Sequence, residues 1–354
     1  MTARALRQAE AYPLAAGPPR ELQVEVTGAC NLRCRMCLVR YAPPVGRAEG
    51  ALSFEQFRDL VDALPGLTRV TLQGLGEPLL APHLLDMVRY AASRPVKVGF
   101  TTNGVLLTRA RARTLIAHGL GWLHVSLDGA TAATYEEVRH GTAFAAGPGQ
   151  FDHVVTNLRA LLAERAAAGC RLPLVKLVFV AMRRNVVELP DLVRLAADLG
   201  VDELRVQNLS HTFSDTDPAG QYAEIRRYAE REALDGESCR SAFDRAATLA
   251  AELGLALRLP PPATPPTDPA SPPRLAVGTP GCTWPWDATY VTHRGEVQPC
   301  CMVMGSDRAT LGRLDERPFA DIWHGAAYQD FRARLHTDDP PDVCRGCALY
   351  RGVF

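Results

Sequence analysis

Residues 30–37 read Cys-Asn-Leu-Arg-Cys-Arg-Met-Cys, which places Cys30, Cys34 and Cys37 in a C-x3-C-x2-C spacing. The run follows the strand-like segment Leu22–Thr27, so we expect the three thiols on a tight loop after a first strand. Three thiolates on one loop can hold three irons of a 4Fe-4S cluster and leave the fourth iron open. Structural zinc normally takes four protein ligands, and no fourth is near. Three unrelated cysteines, or half of a zinc site, are the alternatives.

Strand-like and helix-like runs alternate on both sides of this loop. The predicted strands are Leu22–Thr27, Arg69–Gln73, Val96–Thr102, Trp122–Leu127, Leu174–Val180 and Glu203–Leu209. The predicted helices are Ser53–Leu64, Pro82–Ser93, Thr108–His118, Gln150–Ala168 and Val187–Leu199. Repeated strand–helix units predict parallel strands with right-handed crossovers, and six units are too few for a closed eight-stranded barrel. We therefore predict an α/β fold, a partial (β/α)6 TIM-like barrel.

One face of several predicted strands is polar. The polar sets are Gln23, Glu25 and Thr27; His124, Ser126 and Asp128; and Glu203, Arg205 and Gln207. A parallel sheet buried on both faces would show continuous apolar runs instead of this alternation. The pattern favours a barrel whose interior is a polar, ligand-holding cavity. A sheet with one solvated face is the alternative.

Composition excludes some functions. The 354 residues include 39 Lys+Arg and 39 Asp+Glu, so no basic field is available for broad binding of nucleic acid or anionic membranes. No apolar run is long enough to span a bilayer, and the first residues lack a signal-peptide core. We therefore expect a cytoplasmic protein, in which ten cysteines favour metal binding over a disulfide framework.

The predicted organisation has five segments. They are an N-terminal tail (1–20), the partial barrel (21–209), a helical connector (210–259), a proline-rich linker (260–281) and a small cysteine-rich domain (282–354). The connector shows two helical patterns, Gln221–Leu234 and Ser238–Leu253. Eight prolines in the 14 residues of Pro260–Pro273 predict a stiff, extended boundary.

Three short motifs at predicted strand ends accompany the cysteine loop. They are Gly-Leu-Gly-Glu-Pro (74–78), Thr-Thr-Asn-Gly (101–104) and Ser-Leu-Asp-Gly (126–129). In this order, they make the chain resemble the radical S-adenosylmethionine (SAM) superfamily over the loop and most of residues 21–209. The resemblance implies a SAM-binding 4Fe-4S cluster on the three cysteines. It also implies a 5′-deoxyadenosyl radical that abstracts a hydrogen atom from a substrate.

The resemblance also implies which residues bind SAM. The set is Met36, Gly74, Gly76, Glu77, Pro78, Asn103, Ser126, Asp128 and Arg139. For Arg139, a position on a solvated helix face is the alternative. Glu77 has an independent chemical reason, because a carboxylate pairs with the ammonium group of SAM. Two positions depart from the family pattern: Met36 replaces a residue that is often aromatic, and Leu75 replaces a glycine. A thioether can still pack on a purine face.

A second cysteine pattern lies near the other end of the chain. It reads Cys282-x12-Gly295-x4-Cys300, followed by Cys344-x2-Cys347. It resembles the start of the SPASM pattern of radical SAM enzymes with auxiliary iron–sulfur clusters. Four cysteines in pattern imply one auxiliary 4Fe-4S cluster, the shortened "twitch" version, most like 2-deoxy-scyllo-inosamine dehydrogenases. A four-cysteine zinc ribbon is the alternative.

The function predicted first is oxidation of a secondary alcohol in a small polar natural-product intermediate, an aminocyclitol, sugar or nucleoside of an antibiotic-type pathway. The auxiliary cluster would accept the second electron, and a flavodoxin or ferredoxin would reduce the first. Alternatives are a redox-neutral epimerase or decarboxylase, a SPASM-type peptide maturase, or a non-enzymatic iron–sulfur or zinc protein. The candidate bases and hydrogen-atom donors are His211, Cys239 and Cys301. Cys239 also fits a small buried core residue, and His211 and His124 also fit ordinary surface or core histidines.

Overall fold

The computed structural model describes residues 16–41, 50–140, 149–209, 220–234, 236–260, 282–305, 308–347 and 349–350. The strands are β1 Glu21–Val24, β2 Arg69–Leu72, β3 Lys97–Thr102, β4 Trp122–Ser126, β5 Leu174–Ala181, β6 Glu203–Asn208, β7 Leu257–Arg258, β8 Ala288–Val291, β9 Glu296–Gln298 and β10 Gly312–Arg313. The helices are α1 Leu38–Tyr41, α2 Phe54–Asp62, α3 Leu84–Ala92, α4 Arg109–Ala117, α5 Ala132–Val138, α6 Gln150–Ala167, α7 Leu189–Leu199, α8 Ala223–Glu232, α9 Gly236–Leu253, α10 Trp284–Asp287, α11 Phe319–Trp323, α12 Ala326–Arg334 and α13 Asp342–Arg345. Two short 3-10 turns, Pro78–Leu80 and Val186–Glu188, complete the described elements.

The strands form one sheet in the order β10-β9-β8-β1-β2-β3-β4-β5-β6-β7. Strands β1 to β6 pair in parallel in chain order, which confirms the partial barrel built from six strand–helix units. Each predicted strand begins and ends within two residues of the observed one, apart from the first, which ends three residues earlier. The carboxyl ends of these strands therefore meet at one edge, where barrel active sites are built.

The helices form where their ends are capped and their apolar faces can be buried. Ser53 caps α2 in a capping box with Gln56, and Thr108 caps α4. The apolar faces of the strands and helices share one core, in which Phe57, Phe100 and other large side chains are fully buried. No helix in the described part of the chain is long and apolar enough to cross a membrane.

The C-terminal segment is joined to the barrel sheet. Strand β8 pairs in parallel with β1, in the register Glu21↔Ala288 to Val24↔Val291, and the antiparallel strands β9 and β10 follow. The cysteine-rich segment therefore continues the barrel sheet past its first strand. On the opposite edge, the predicted helical connector also contributes a strand, because β7 pairs in parallel with β6.

Candidate active site

The cysteine loop is fixed by backbone hydrogen bonds to the end of α5. The amide of Arg33 donates to the carbonyl of His140 (2.7 Å), and that of Arg35 donates to the carbonyl of Val138 (2.9 Å). Within the loop, the amide of Cys37 donates to the carbonyl of Cys34 (3.1 Å). Sequence analysis did not predict α5, and this short helix holds the loop in place.

Among the three loop cysteines, Cys34 is buried and Cys30 and Cys37 are half-buried, and their thiols influence one another electrostatically. Burial raises the pKa of Cys30 to about 11 and that of Cys37 to about 12, and it also raises the pKa of Cys34. Iron binds the thiolate form, so the loop needs a compensating positive charge. Arg139 provides it, since its Nη1 lies 3.9 Å from Cys34 Sγ. Three thiols and one buried cation suit an iron–sulfur cluster.

The residues that would hold the SAM-binding cluster are Cys30, Cys34 and Cys37, because three thiolates can bind three different irons of one cluster. A site for a single metal ion is a different arrangement. No group of three His, Cys, Asp or Glu side chains in the described part of the chain is arranged as the ligands of one metal ion.

Arg139 is itself positioned by Asp128. Its Nε donates to Asp128 Oδ2 at 2.7 Å, and the other carboxylate oxygen, Oδ1, accepts from the amide of Val180 at 2.7 Å. Asp128 is fully buried. Burial alone would lower the pKa of Arg139, but the Asp128 carboxylate and the Cys34 thiol raise it, so the guanidinium stays charged. Both Asp128 carboxylate oxygens therefore accept hydrogen bonds from within the chain, and the contact of this residue with SAM stays a prediction.

The glycines of the 74–78 motif allow close packing against the chain after β1. A Cβ on Gly76 would lie 2.2 Å from the carbonyl oxygen of Thr27, and one on Gly74 would lie 2.1 Å from Glu25 Cγ. The amide of Glu77 donates to the carbonyl of Ala29 at 2.8 Å. These contacts bring the motif against the residues that lead into the cysteine loop.

The Glu77 carboxylate connects two strand ends. It accepts from Thr102 Oγ1 (2.6 Å), from the amide of Asn103 (2.8 Å) and from the amide of Leu79 (3.1 Å). Burial raises its pKa, and these donors oppose that shift. Glu77 thus positions the motif, while its predicted contact with the SAM ammonium stays a prediction.

The remaining predicted SAM ligands lie at the same edge. Asn103 Nδ2 donates to Asn31 Oδ1 at 2.9 Å, which ties the end of β3 to the cysteine loop. The Asn31 amide nitrogen is buried without a hydrogen-bond partner. Met36 and Pro78 are buried, and Ser126 ends β4 half-buried. The loop therefore offers an unsatisfied donor where a ligand is expected.

Five C-terminal cysteines lie within electrostatic range of one another. Burial first, and then Cys301, Cys282, Cys344 and Cys347, hold the pKa of Cys300 well above its usual value. Burial, Cys347 and Cys282 likewise raise the pKa of Cys301 to about 12. The four cysteines of the sequence pattern therefore lie together, as an auxiliary cluster requires. Cys301, predicted as a hydrogen-atom donor, adjoins the same group.

A polar cleft lies between the end of β1 and the β8–β9 hairpin, and we call it the hairpin cleft. Its lining includes Glu25, Leu75, Tyr290, His293 and Gln298. The Glu25 carboxylate accepts hydrogen bonds from the Tyr290 hydroxyl (2.9 Å) and from the amide of Leu75 (3.0 Å). It also pairs with His293 Nδ1. Burial and then Glu25 hold the pKa of Tyr290 well above its usual value, so its hydroxyl stays protonated.

Sequence analysis placed Glu25 on a polar face but missed Tyr290, His293 and Gln298. All three belong to a hairpin of short strands, in which period-two alternation is too brief to recognise. The polar barrel face predicted from β1 extends through Tyr290 to Gln298, which is paired with it across the hairpin.

The other predicted catalytic residues are not placed in this cleft. His211 lies outside the described residues. Cys239 lies half-buried on α9, the helix that packs against α7. His124 packs against Trp122, with ring centroids 4.4 Å apart. Burial, with Lys176, Arg205 and Arg69 nearby, lowers the pKa of His124 to about 3.

Family comparisons agree with this geometry. A family model described as the radical SAM superfamily matches residues 24–165, and one described as an iron–sulfur cluster-binding domain, SPASM, matches residues 282–348. Residues 24–165 are therefore a radical SAM domain, and residues 282–348 are a SPASM domain. The radical SAM domain implies a 4Fe-4S cluster and SAM, and the SPASM domain implies auxiliary iron–sulfur clusters.

Relatives of this radical SAM chain are similar over different lengths. The mycofactocin maturase MftC of Mycobacterium tuberculosis is 34% identical over 61% of this chain and 51% of its own. The AdoMet-dependent heme synthase of Methanosarcina barkeri is 25% identical over 93% of this chain and 91% of its own. The chain spans about half the length of the first curated relatives that it matches.

Solved structures show the same fold. Streptococcus suis SuiB bound to its precursor peptide SuiA has a TM-score of 0.67 at 14% identity, covering 94% of this chain and 70% of SuiB. At that identity, the likeness concerns the fold alone.

Proposed function

We propose that this radical SAM chain oxidises a secondary alcohol in a small polar substrate, an aminocyclitol, sugar or nucleoside of an antibiotic-type pathway. The observation that carries the proposal is the hairpin cleft. Its buried polar side chains run from Glu25, after β1, to Gln298 on β9. Buried polar side chains suit a compact substrate with several polar groups, because each must be hydrogen-bonded when water is excluded.

When bound, the clusters and SAM supply a 5′-deoxyadenosyl radical and an acceptor for one electron, with a flavodoxin or ferredoxin as the reductant. This chain's own residues hold and orient the partners. Arg139 balances charge beside Cys34, and Glu77 with Asn103 fixes the strand ends around the loop. Cys282, Cys300, Cys344 and Cys347 would hold the auxiliary cluster.

The proposed reaction balances. The alcohol carbon gives a hydrogen atom, which ends in 5′-deoxyadenosine while SAM also yields methionine. The substrate radical then loses one electron and the hydroxyl proton and becomes a carbonyl. The electron used to cleave SAM equals the one returned by the substrate, so one SAM oxidises one alcohol and one proton is released.

Tyr290 lies in the cleft and within electrostatic range of one of the C-terminal cysteines. Its hydroxyl contacts Glu25, and Cys301 is among the groups that raise its pKa. A substrate in the cleft would therefore lie near the side of the chain that carries the auxiliary cysteines, which is where the second electron must go.

A second candidate function is peptide maturation. The relatives of the chain favour it, since they include a mycofactocin maturase and a PqqA peptide cyclase. A redox-neutral epimerase or decarboxylase would use the same radical, with a thiol such as Cys239 or Cys301 returning the hydrogen atom.

The test separates these functions. The reconstituted chain is incubated anaerobically with SAM, reductant and either aminocyclitols and sugars or short peptides, and 5′-deoxyadenosine and products are measured. We expect a ketone product, one per 5′-deoxyadenosine, from a hydroxylated probe. In the Cys300→Ala variant, 5′-deoxyadenosine should persist while the ketone is lost. Ketone formation unchanged by Cys300→Ala would contradict the electron-accepting role, and turnover of peptides alone would favour maturation.

A further inference from the structure

Gln298 carries an unsatisfied amide in the hairpin cleft. Its side chain is 1% exposed, and neither Nε2 nor Oε1 has a hydrogen-bond partner. It lies on β9 directly across from Tyr290 and lines the same cleft. A buried carboxamide left without partners is costly, so such groups are normally paired with protein, water or a ligand.

The charged neighbours of Gln298 are already matched. Glu25 accepts from Tyr290 and Leu75 and pairs with His293. Glu296 pairs with Arg294 (2.6 Å) and Arg313 (3.2 Å). Gln298 itself is uncharged, and its side chain keeps a donor, Nε2, and an acceptor, Oε1, without partners beside these matched charges.

We propose that Gln298 is a specificity-determining residue that binds two adjacent polar groups of the substrate, a vicinal diol or amino alcohol. Its carboxamide presents a donor and an acceptor side by side, and two neighbouring hydroxyl groups, or a hydroxyl and an amine, can satisfy both. This inference rests on the proposed function and names the group that the cleft recognises.

A peptide unit matches this carboxamide less well. The N–H and C=O of one trans peptide point in opposite directions, so a single unit cannot pair with both atoms of Gln298. An alcohol with a single hydroxyl group would leave either Nε2 or Oε1 of Gln298 without a partner. Of these three groups, the diol or amino alcohol is the one that pairs with both amide atoms at once.

The experiment uses the reconstituted chain, the Gln298→Leu variant and a matched control, Thr289→Val. Thr289 lies on the opposite face of β8, fully buried, with its hydroxyl bonded to Tyr328 at 2.9 Å. The probes are 2-deoxy-scyllo-inosamine, glucosamine, their mono-hydroxylated analogue cyclohexanol and a short peptide. Two quantities are measured: the Tm with and without each probe, and the Kd of each probe with SAM present.

We expect Gln298→Leu to keep the Tm of the probe-free chain, because it removes an amide that has no partner. It should weaken binding of a diol or amino-alcohol probe at least about tenfold, which is the loss of a typical paired interaction. Thr289→Val should lower the Tm and leave probe binding unchanged. The auxiliary cluster's absorption and EPR signals should be the same in all three proteins.

Three results would overturn the inference. They are binding of the diol and amino-alcohol probes that is unchanged in Gln298→Leu, a Tm loss in Gln298→Leu as large as in Thr289→Val, and a wild-type chain to which no diol or amino alcohol binds. The proposed function fails separately, if the wild-type chain forms no 5′-deoxyadenosine with any hydroxylated probe.

Discussion

Arg139 Nε lies 2.7 Å from Asp128 Oδ2, and both side chains are buried beside the cysteine loop. The pair joins the end of β4 to the end of α5, and through Nη1 it reaches Cys34 Sγ. A motif predicted to contact SAM therefore also holds the cation beside a cluster thiol. The charge balance of the loop depends on a residue that does not belong to it.

Asp128→Asn should destabilise the chain by about 3–5 kcal/mol, because it leaves the Arg139 charge buried without its partner. It should also lower iron retention, since Arg139 would no longer be held beside Cys34. Chemical unfolding and iron analysis measure the two effects. Asp59→Asn is the control, because Asp59 pairs with Arg58 on the exposed surface, and little change is expected. Equal effects of the two variants would contradict the role assigned to the buried pair.

Gly76→Ala should lower the free energy of unfolding by about 1–3 kcal/mol, because the added methyl group meets the backbone oxygens of Thr27 and Ala29. Binding of SAM, measured by equilibrium dialysis, should weaken as the motif moves away from the loop. Gly66→Ala is the matched control, since a Cβ there has no atom within 4 Å. A Gly76→Ala chain as stable as the control would show that the backbone can yield at this position.

Cys301→Ala should keep both clusters, at about eight irons per chain, whereas Cys300→Ala should keep about four. Cys300 belongs to the four-cysteine pattern, while Cys301 only adjoins it. Iron and acid-labile sulfide per chain are measured after anaerobic reconstitution, with the exposed Cys170→Ser as control. A fall to about four irons in Cys301→Ala would make Cys301 a ligand.

The stability of the metal-free chain should fall as the pH falls below 6.5, in part because of His124. Its pKa is about 3 in the folded chain against an ordinary 6.5. Between these values the unfolded chain binds a proton that the folded chain does not, so acid favours unfolding. In His124→Gln, the loss of stability between pH 7.5 and pH 5 should be smaller by about 1–2 kcal/mol. Urea unfolding at the two pH values measures it.

Lys176→Met provides the check on this assignment, because Lys176 is one of the cations that lower the pKa of His124. NMR titration of the imidazole should give a higher pKa in this variant. An unchanged titration would leave burial and the two arginines, Arg205 and Arg69, as the causes and would contradict the contribution of Lys176.

The sequence by itself predicted the parts that depend on local pattern. Six strands, five crossover helices and the caps at Ser53 and Thr108 follow from periodicity and hydrogen bonding within a few residues. The cysteine groups follow from spacing, and the family models match both of the segments that carry them. It missed α5, a seven-residue helix, because one apolar face over two turns is a weak pattern.

Only the tertiary structure decided how the two ends of the chain meet. The pairing of β8 with β1, and the contact of Tyr290 with Glu25, join residues that are far apart in sequence. No local periodicity encodes such a pairing, because it depends on which buried edges and polar groups remain to be satisfied once the barrel has formed. The same physical reason places Asp128 on Arg139 and leaves the Gln298 amide facing the cleft: burial makes every unpaired polar group costly, and only the folded chain determines which partners are within reach.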